Sequence, residues 1–351
     1  MPKPKQELQF TQSSQELSNF AAFLSNTPED CSNTIEEWEC VPKYFFTKSL
    51  VEKLRTPTGH ADPYTWKYTH NDVRGRDKQC QVVIQPALIL NKKENKYYAY
   101  FPGITEELIE EALKKILSDQ NYSFHDSQKF ETWVKFTLRM ISKELKQRGC
   151  TRSLPEIKHA ISVMNKCIIS YSVDGHEIWS GAMLQDLITV GRDDYLEDTN
   201  LHHVARLPLF ISNAINKQGY RQFNLEKYLS CKEQLARWIF KKLVNRFTHA
   251  NHMNDYHFTY QSLKHSGLLQ QSTERDNRKK VLSALKELQA INIISSFTHE
   301  EKKQGRSIDD VKYTVMASSE FIREQKAANK RNQTASLKHS NFTPKSVDNS
   351  L

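Results

Sequence analysis

Two sets of cations recur at helical spacing in this chain. In residues 153–166, Leu154, Ile157, Ala160, Ile161 and Met164 form one apolar stripe. The opposite face carries Lys158, His159, Ser162 and Lys166, with Arg152 at its start. In residues 272–289, Val281, Ala284, Leu285 and Leu288 form the inward stripe, while Arg275, Lys279, Ser283 and Lys286 face outward, flanked by Arg278 and Lys280. A basic helix face of this kind fits the major groove of a duplex, where each good bidentate contact to a base edge supplies roughly 1–3 kcal/mol of discrimination. Cations that neutralise phosphates supply most of the affinity and make it salt-dependent. Taken singly, either face reads equally well as the solvated side of an amphipathic helix. Two faces of like sign, each in the same order of neighbouring elements, favour groove recognition. A third set, Lys302, Lys303 and Arg306, lies in a stretch of mixed charge. It suits contact with phosphates or the minor groove about as well as it suits a solvated hairpin loop.

The elements that must position these helices follow from pattern. Ahead of the second helix come an apolar-aromatic run, residues 256–260, a short helix, residues 261–265, and a break at Ser266-Gly267. After it come strands at 291–297 and 311–315, separated by a charged loop. Helix, turn, basic helix and two-stranded wing is the order of a winged-helix DNA-binding domain. The first basic helix has the same surroundings: a strand at 133–138, a helix at 139–147, a turn at Gly149-Cys150-Thr151, then strands at 168–173 and 176–179 joined by Asp174-Gly175, a strong hairpin signal. Leu145-Lys146 stands before Gly149 as Leu263-Lys264 stands before Gly267, and both copies run into Ile-Ile-Ser, at Ile168 and Ile293. The expected fold class is α+β: two tandem winged-helix domains with flexible N- and C-terminal tails. The expected division is a flexible tail, 1–38; an N-terminal winged-helix domain with a turn-rich extension, 39–190; a linker, 191–206; a C-terminal winged-helix domain, 207–330; and a disordered tail, 331–351. Residues 104–117 read as an amphipathic helix. So do residues 234–247, with Arg237, Lys241, Lys242 and Arg246 off the apolar stripe.

Composition sets the outer bounds. At 351 residues and 38% hydrophobic, the chain is long enough for two cores. No apolar run approaches the roughly 18 residues of a membrane span, so no membrane association is expected. The start of the chain carries no signal-peptide pattern. Six cysteines stand singly, with no Cys-x-x-Cys, and read as reduced thiols of a cytoplasmic protein. A net charge of +9 leans toward a polyanionic partner. The signatures of catalysis are missing: no phosphate-binding Gly-rich loop ending in Lys-Ser/Thr, no Gly-x-Ser-x-Gly, and no pair of histidines flanking one apolar residue as metal-dependent nicking requires. His202-His203 are adjacent, and His249, His252 and Asp255 read as a polar loop. The expectation is a non-enzyme with no cofactor and no metal site.

Several stretches together resemble one family. Leu235 to Leu243, Arg246-Phe247-Thr248, Ser266-Gly267-Leu268, Asn277 to Val281, Ala284 to Leu288 and Asp310 to Val315, ending at Phe321-Ile322, resemble the C-terminal part of bacterial plasmid replication initiators. Arg152 to Ile157 with Ala160 resembles the start of the recognition helix in their N-terminal winged helix, and Val41 to Leu50 the segment before it. The resemblance spans roughly residues 40–330 and rests on diffuse patterns. It implies a tandem winged-helix protein that binds repeated sequences in double-stranded origin DNA, helps open an AT-rich region, and recruits the host replication initiator, helicase and its loader. Many members of the family activate as monomers and repress their own promoter as homodimers, with dimer contacts in the N-terminal domain, so the resemblance implies that both forms are open to this chain. The second basic helix would read a repeat, and the first would contact a neighbouring groove or backbone. The long turn-rich N-terminal region departs from the pattern and puts the dimer geometry in doubt. A winged-helix transcriptional regulator is the alternative that the same residues allow.

Overall fold

A computed structural model describes residues 14–25, 28–71, 76–190, 202–305 and 307–340. The chain opens with α1 (Ser14–Ser25), β1 (Cys31–Thr34), α2 (Glu36–Glu39) and α3 (Lys48–Leu54). A hairpin, β2 (Tyr64–Asn71) and β3 (Asp77–Gln85), and a second one, β4 (Ala87–Asn91) and β5 (Lys96–Tyr100), lead into α4 (Ile104–Leu117). The first winged helix follows: β6 (Ser123–Asp126), β7 (Glu131–Phe136), α5 (Leu138–Gln147), α6 (Leu154–Lys166), β8 (Ile168–Val173), β9 (His176–Ala182), β10 (Gln185–Ile188) and β11 (His203–Arg206). The second half comprises α7 (Leu209–Asn216), β12 (Arg221–Asn224), α8 (Leu225–Ser230), α9 (Gln234–Arg246), β13 (Asp255–Thr259), α10 (Tyr260–Lys264), α11 (Glu274–Ala290), β14 (Ile294–Gln304), β15 (Ser307–Ala317) and α12 (Ser319–Ser340). The fold class is the expected α+β, with two helix-turn-helix-wing units.

Local chemistry builds both units alike. Thr137 and Thr259 cap the helix before each turn, their side chains accepting from Met140 N and Ser262 N. Gly149 and Gly267 close those helices at φ +77° and +73°, in the left-handed region that favours glycine. Ser153 and Glu156 form a reciprocal capping box at the start of α6, and Thr273 caps α11 with Glu274 and Asp276 in its first turn. Asp174 and Gly175 both take positive φ, as a tight two-residue hairpin turn requires.

The sheets differ between the units. In the second, β13 pairs directly with β15, giving the antiparallel order β13-β15-β14. In the first, β9 continues into β10, and β11 stands between β10 and β7, while the wing β8–β9 is extended on its other side by β3 and β2. The second wing is also longer than its sequence suggests. The stretch expected to be a charged loop is strand as far as Gln304, and β15 begins at Ser307. Opposite charges face each other across that ribbon, Glu300 opposite Lys312 and Lys302 opposite Asp310, which suits a two-stranded sheet with both faces in water.

Three boundary expectations need correction. Residues 31–38 do not belong to a flexible tail: β1 pairs with β12 from Cys31↔Asn224 to Thr34↔Arg221, and Trp38 is fully buried. The expected linker is part strand, since His203–Arg206 pairs with β7; residues 191–201 lie outside the described residues. The last helix runs beyond Lys330 into the expected disordered tail, to Ser340, and residues 341–351 lie outside the described residues. No helix among the described residues is long and apolar enough to cross a membrane.

Candidate nucleic-acid interface

On α11, Asn277, Val281, Ala284, Leu285 and Leu288 are buried against α9 and β14, as the apolar stripe predicts. Arg275, Lys279, Ser283 and Lys286 are exposed, while Arg278 and Lys280 are half-buried. Their surroundings separate them. Lys279 pairs with Asp276 at 3.1 Å, one turn back on an open surface, where such a pair is weak and easily exchanged for a phosphate. Ser283 donates to the Glu233 carboxylate at the start of α9, and Lys280 donates to the Leu268 carbonyl at 2.7 Å. Those two groups therefore hold α11 to the body of the molecule. Arg275, Lys279 and Lys286 remain as the stripe presented outward.

The wing cations are partnered within the wing: Lys302 with Asp309 at 3.6 Å and Lys303 with Glu301 at 3.3 Å. Arg306 lies outside the described residues. With Glu300, Glu301, Asp309 and Asp310 along the ribbon, its charge is mixed.

On α6 the outer face is divided. Lys158 and Lys166 are exposed and Arg152 is half-buried, its guanidinium donating to the Thr151 carbonyl at 2.8 Å. His159 packs edge-on against the Tyr100 ring, centroids 4.4 Å apart, because the β4–β5 hairpin lies along that flank of α6. Burial, helped by Arg55, pushes the His159 pKa below its ordinary value. Ser162 donates back to the Lys158 carbonyl at 3.0 Å. The first basic helix is thus partly roofed, and the second is the more open of the two.

The residues that fix the two helices relative to one another lie off the apolar stripes of α4 and α9. The polar side of α4 is not in water: Glu107, Glu110, Glu111 and Lys114 are all buried. Facing them across the interface are Arg237 and Lys241 of α9, also buried. Arg237 grips both oxygens of Glu107, at 3.0 and 3.1 Å, and Tyr228 donates to the same carboxylate at 2.8 Å. Lys241 reaches Glu111 at 2.6 Å and Glu39 at 2.8 Å, and Lys114 bridges Glu39 and Glu111 at 2.7 and 3.1 Å. Burial would raise the Glu39 pKa, but Lys114, Lys241 and Lys43 outweigh it and hold that carboxyl ionised. Oxygens of Glu39, Glu110 and Glu111 converge within 4.8 Å of one another, yet the lysine ammonium groups already stand among them. Since α6 packs on α4 and α11 packs on α9, this charged seam joins the two basic helices through a row of four. Helical periodicity marks a stripe as polar but does not say whether water or a second helix faces it.

No protein-family model matches the chain, and no curated protein matches it. Solved structures to which it is similar include domains 2 and 3 of RctB, at TM-score 0.43 and 11% identity over 78% of this chain and 97% of that one. A selenomethionine derivative of the same two domains gives TM-score 0.43 and 10% identity over 76% and 95%. The Pi initiator protein in complex with iteron DNA gives TM-score 0.35 and 11% identity over 83% and 98%.

Proposed function

We propose that this chain is a replication initiator that binds repeated sequences in double-stranded origin DNA, carries no catalytic site, and promotes origin opening and recruitment of the host replication initiator, helicase and loader. The observation that carries the DNA-binding part is the pair of helix-turn-helix-wing units on one chain. The second presents Arg275, Lys279 and Lys286 along one open helix stripe, and a buried charged seam couples it to the first. Such a pair suits a duplex site longer than one helix reads alone. The initiator part comes from the sequence resemblance. A transcriptional regulator with the same two units is the second reading, because it needs only the binding.

The deciding experiment places the gene with its flanking DNA on a circle that has no other origin. Autonomous replication is expected. Failure of an expressed, folded protein to support it leaves the regulator reading in place. Footprinting of the same flanks is expected to show protected repeats, and log affinity should fall linearly with log salt, with a slope of about −0.9 per phosphate contacted. A salt-independent affinity would remove the DNA-binding reading. Incubation with supercoiled flanking DNA and a divalent metal is expected to leave no covalent protein–DNA adduct, and an adduct would make the chain a nicking enzyme.

A further inference from the structure

Between the two halves lies a cavity of about 310 Å³ that no DNA-reading residue lines. Its size is at the small end of the range typical for small-molecule sites, roughly 300–1,000 Å³. One wall is α2 and β2, including Tyr68; the other is α9, β13 and the end of α10, including Trp238, Phe258 and His265. The Lys242 ammonium sits here, 5.0 Å from the centre of the Trp238 ring and 5.9 Å from that of Phe258. Its neighbours on α9 are treated differently. Lys241 is held by Glu39 and Glu111, and Arg246 by Glu36. Among the described residues, no carboxylate forms an ion pair with Lys242. The two acids that reach the cavity are therefore already engaged, and the one unmatched charge in it is a cation set between aromatic faces.

We propose that this cavity binds a small organic anion bearing one flat ring, with the acid group on Lys242 and the ring against Trp238, Phe258 and Tyr68. Apolar faces with a single convergent charge are the usual composition of such sites, and a charge-assisted bond in a half-buried setting is strong. The protonation of Lys242 agrees. Burial, with a smaller contribution from Arg246, lowers its pKa to about 8. An anion beside it restores the charged form, so binding takes up a proton and weakens as pH rises through about 8. The other titratable groups facing the cavity are Cys40 at the end of α2, Tyr68 on β2, Tyr256 and His257 on β13, and His265. Burial raises the pKa of Cys40, Tyr68 and Tyr256 and lowers that of His265, which keeps those four neutral near pH 8. Because the walls come from both halves, an occupant bridges them.

Calorimetric titration of the full chain, without DNA, tests this with benzoate and adenosine monophosphate as probes and benzamide and adenosine as their uncharged counterparts. Saturable binding of either anion, with its counterpart at least about tenfold weaker, is expected. Benzoate alone would identify a carboxylate as the acid group, and adenosine monophosphate alone a phosphate. Lys242→Met should lower the affinity about tenfold or more and remove its decline above pH 8, while Lys242→Arg should retain binding. The proposal is overturned if neither anion binds with a Kd below about 1 mM, if the uncharged counterparts bind equally well, or if Lys242→Met, folded by circular dichroism, binds as the unaltered chain does.

Discussion

Single side chains on α11 have distinct tasks that their shared place in the sequence pattern conceals. Arg275 and Lys279 are exposed on the outward stripe, whereas Ser283 is tied to Glu233. Arg275→Ala or Lys279→Ala should therefore weaken binding to the specific site more than to random DNA. Ser283→Ala should leave the ratio unchanged and act through stability. Competition binding with specific and random duplexes separates the cases, and equal losses for Arg275→Ala on both duplexes would assign Arg275 to phosphate alone. In the seam the stakes are higher, because a buried ion that loses its partner keeps its desolvation cost. Lys241→Met, which leaves Glu39 and Glu111 to share Lys114 alone, should cost about 3 kcal/mol, the low end for a broken buried ion pair. Adding Glu111→Gln should recover part of that, since the combined change removes a charge of each sign. Urea unfolding of the single and double variants measures both effects.

The two turns between helices offer a paired test of the elements. Gly149 and Gly267 share a left-handed backbone, so alanine at either should cost about 1–2 kcal/mol from conformation alone. A Cβ at Gly149 would meet open space, while one at Gly267 would fall 2.7 Å from the ring of Phe45, a buried residue of the N-terminal half. Gly267→Ala should thus be the more destabilising, and a thermal midpoint for each variant decides it. That contact also shows where sequence reading reached its limit. The turn glycines and the Ile-Ile-Ser entries into β8 and β14 were legible because they are set by local sequence. The insertion of β11 between β10 and β7 was not, because strand pairing across distant segments leaves no local trace. The length of the second wing was hidden by its charge, since a ribbon wetted on both faces lacks the apolar alternation that marks a strand. The burial of Arg237 and Lys241 was not legible, because a helix stripe facing a second polar stripe has the composition of one facing water.

At the scale of the molecule, three half-buried histidines in different regions share one response to pH. Burial lowers the pKa of His159, His203 and His265 below the ordinary 6.5, assisted by Arg55, by Lys158 and by Lys242 respectively. The folded state therefore binds fewer protons than the unfolded state just below that value. Stability is retained above about pH 6.5 and declines as the pH falls below it, while the unfolded chain takes up protons that the fold resists. Denaturant midpoints at pH 7.5, 6.5 and 5.5 should fall in that order, and the His159→Gln variant should show a shallower decline. A midpoint that rises on acidification would mean that these imidazoles are not held neutral.

The pairing of β1 with β12 has a consequence for the order in which the molecule assembles. Cys31 meets Asn224 across nearly the whole first winged helix, so this small sheet has a very high contact order. During synthesis the first strand leaves the ribosome long before its partner exists. The second half, in turn, buries its own edge only by capturing a segment made at the outset. The first helix-turn-helix unit has every strand of its sheets by Arg206, and the final closure waits for β12. Until that late step the unpaired edge of β1 is therefore the molecule's point of exposure to other nascent chains.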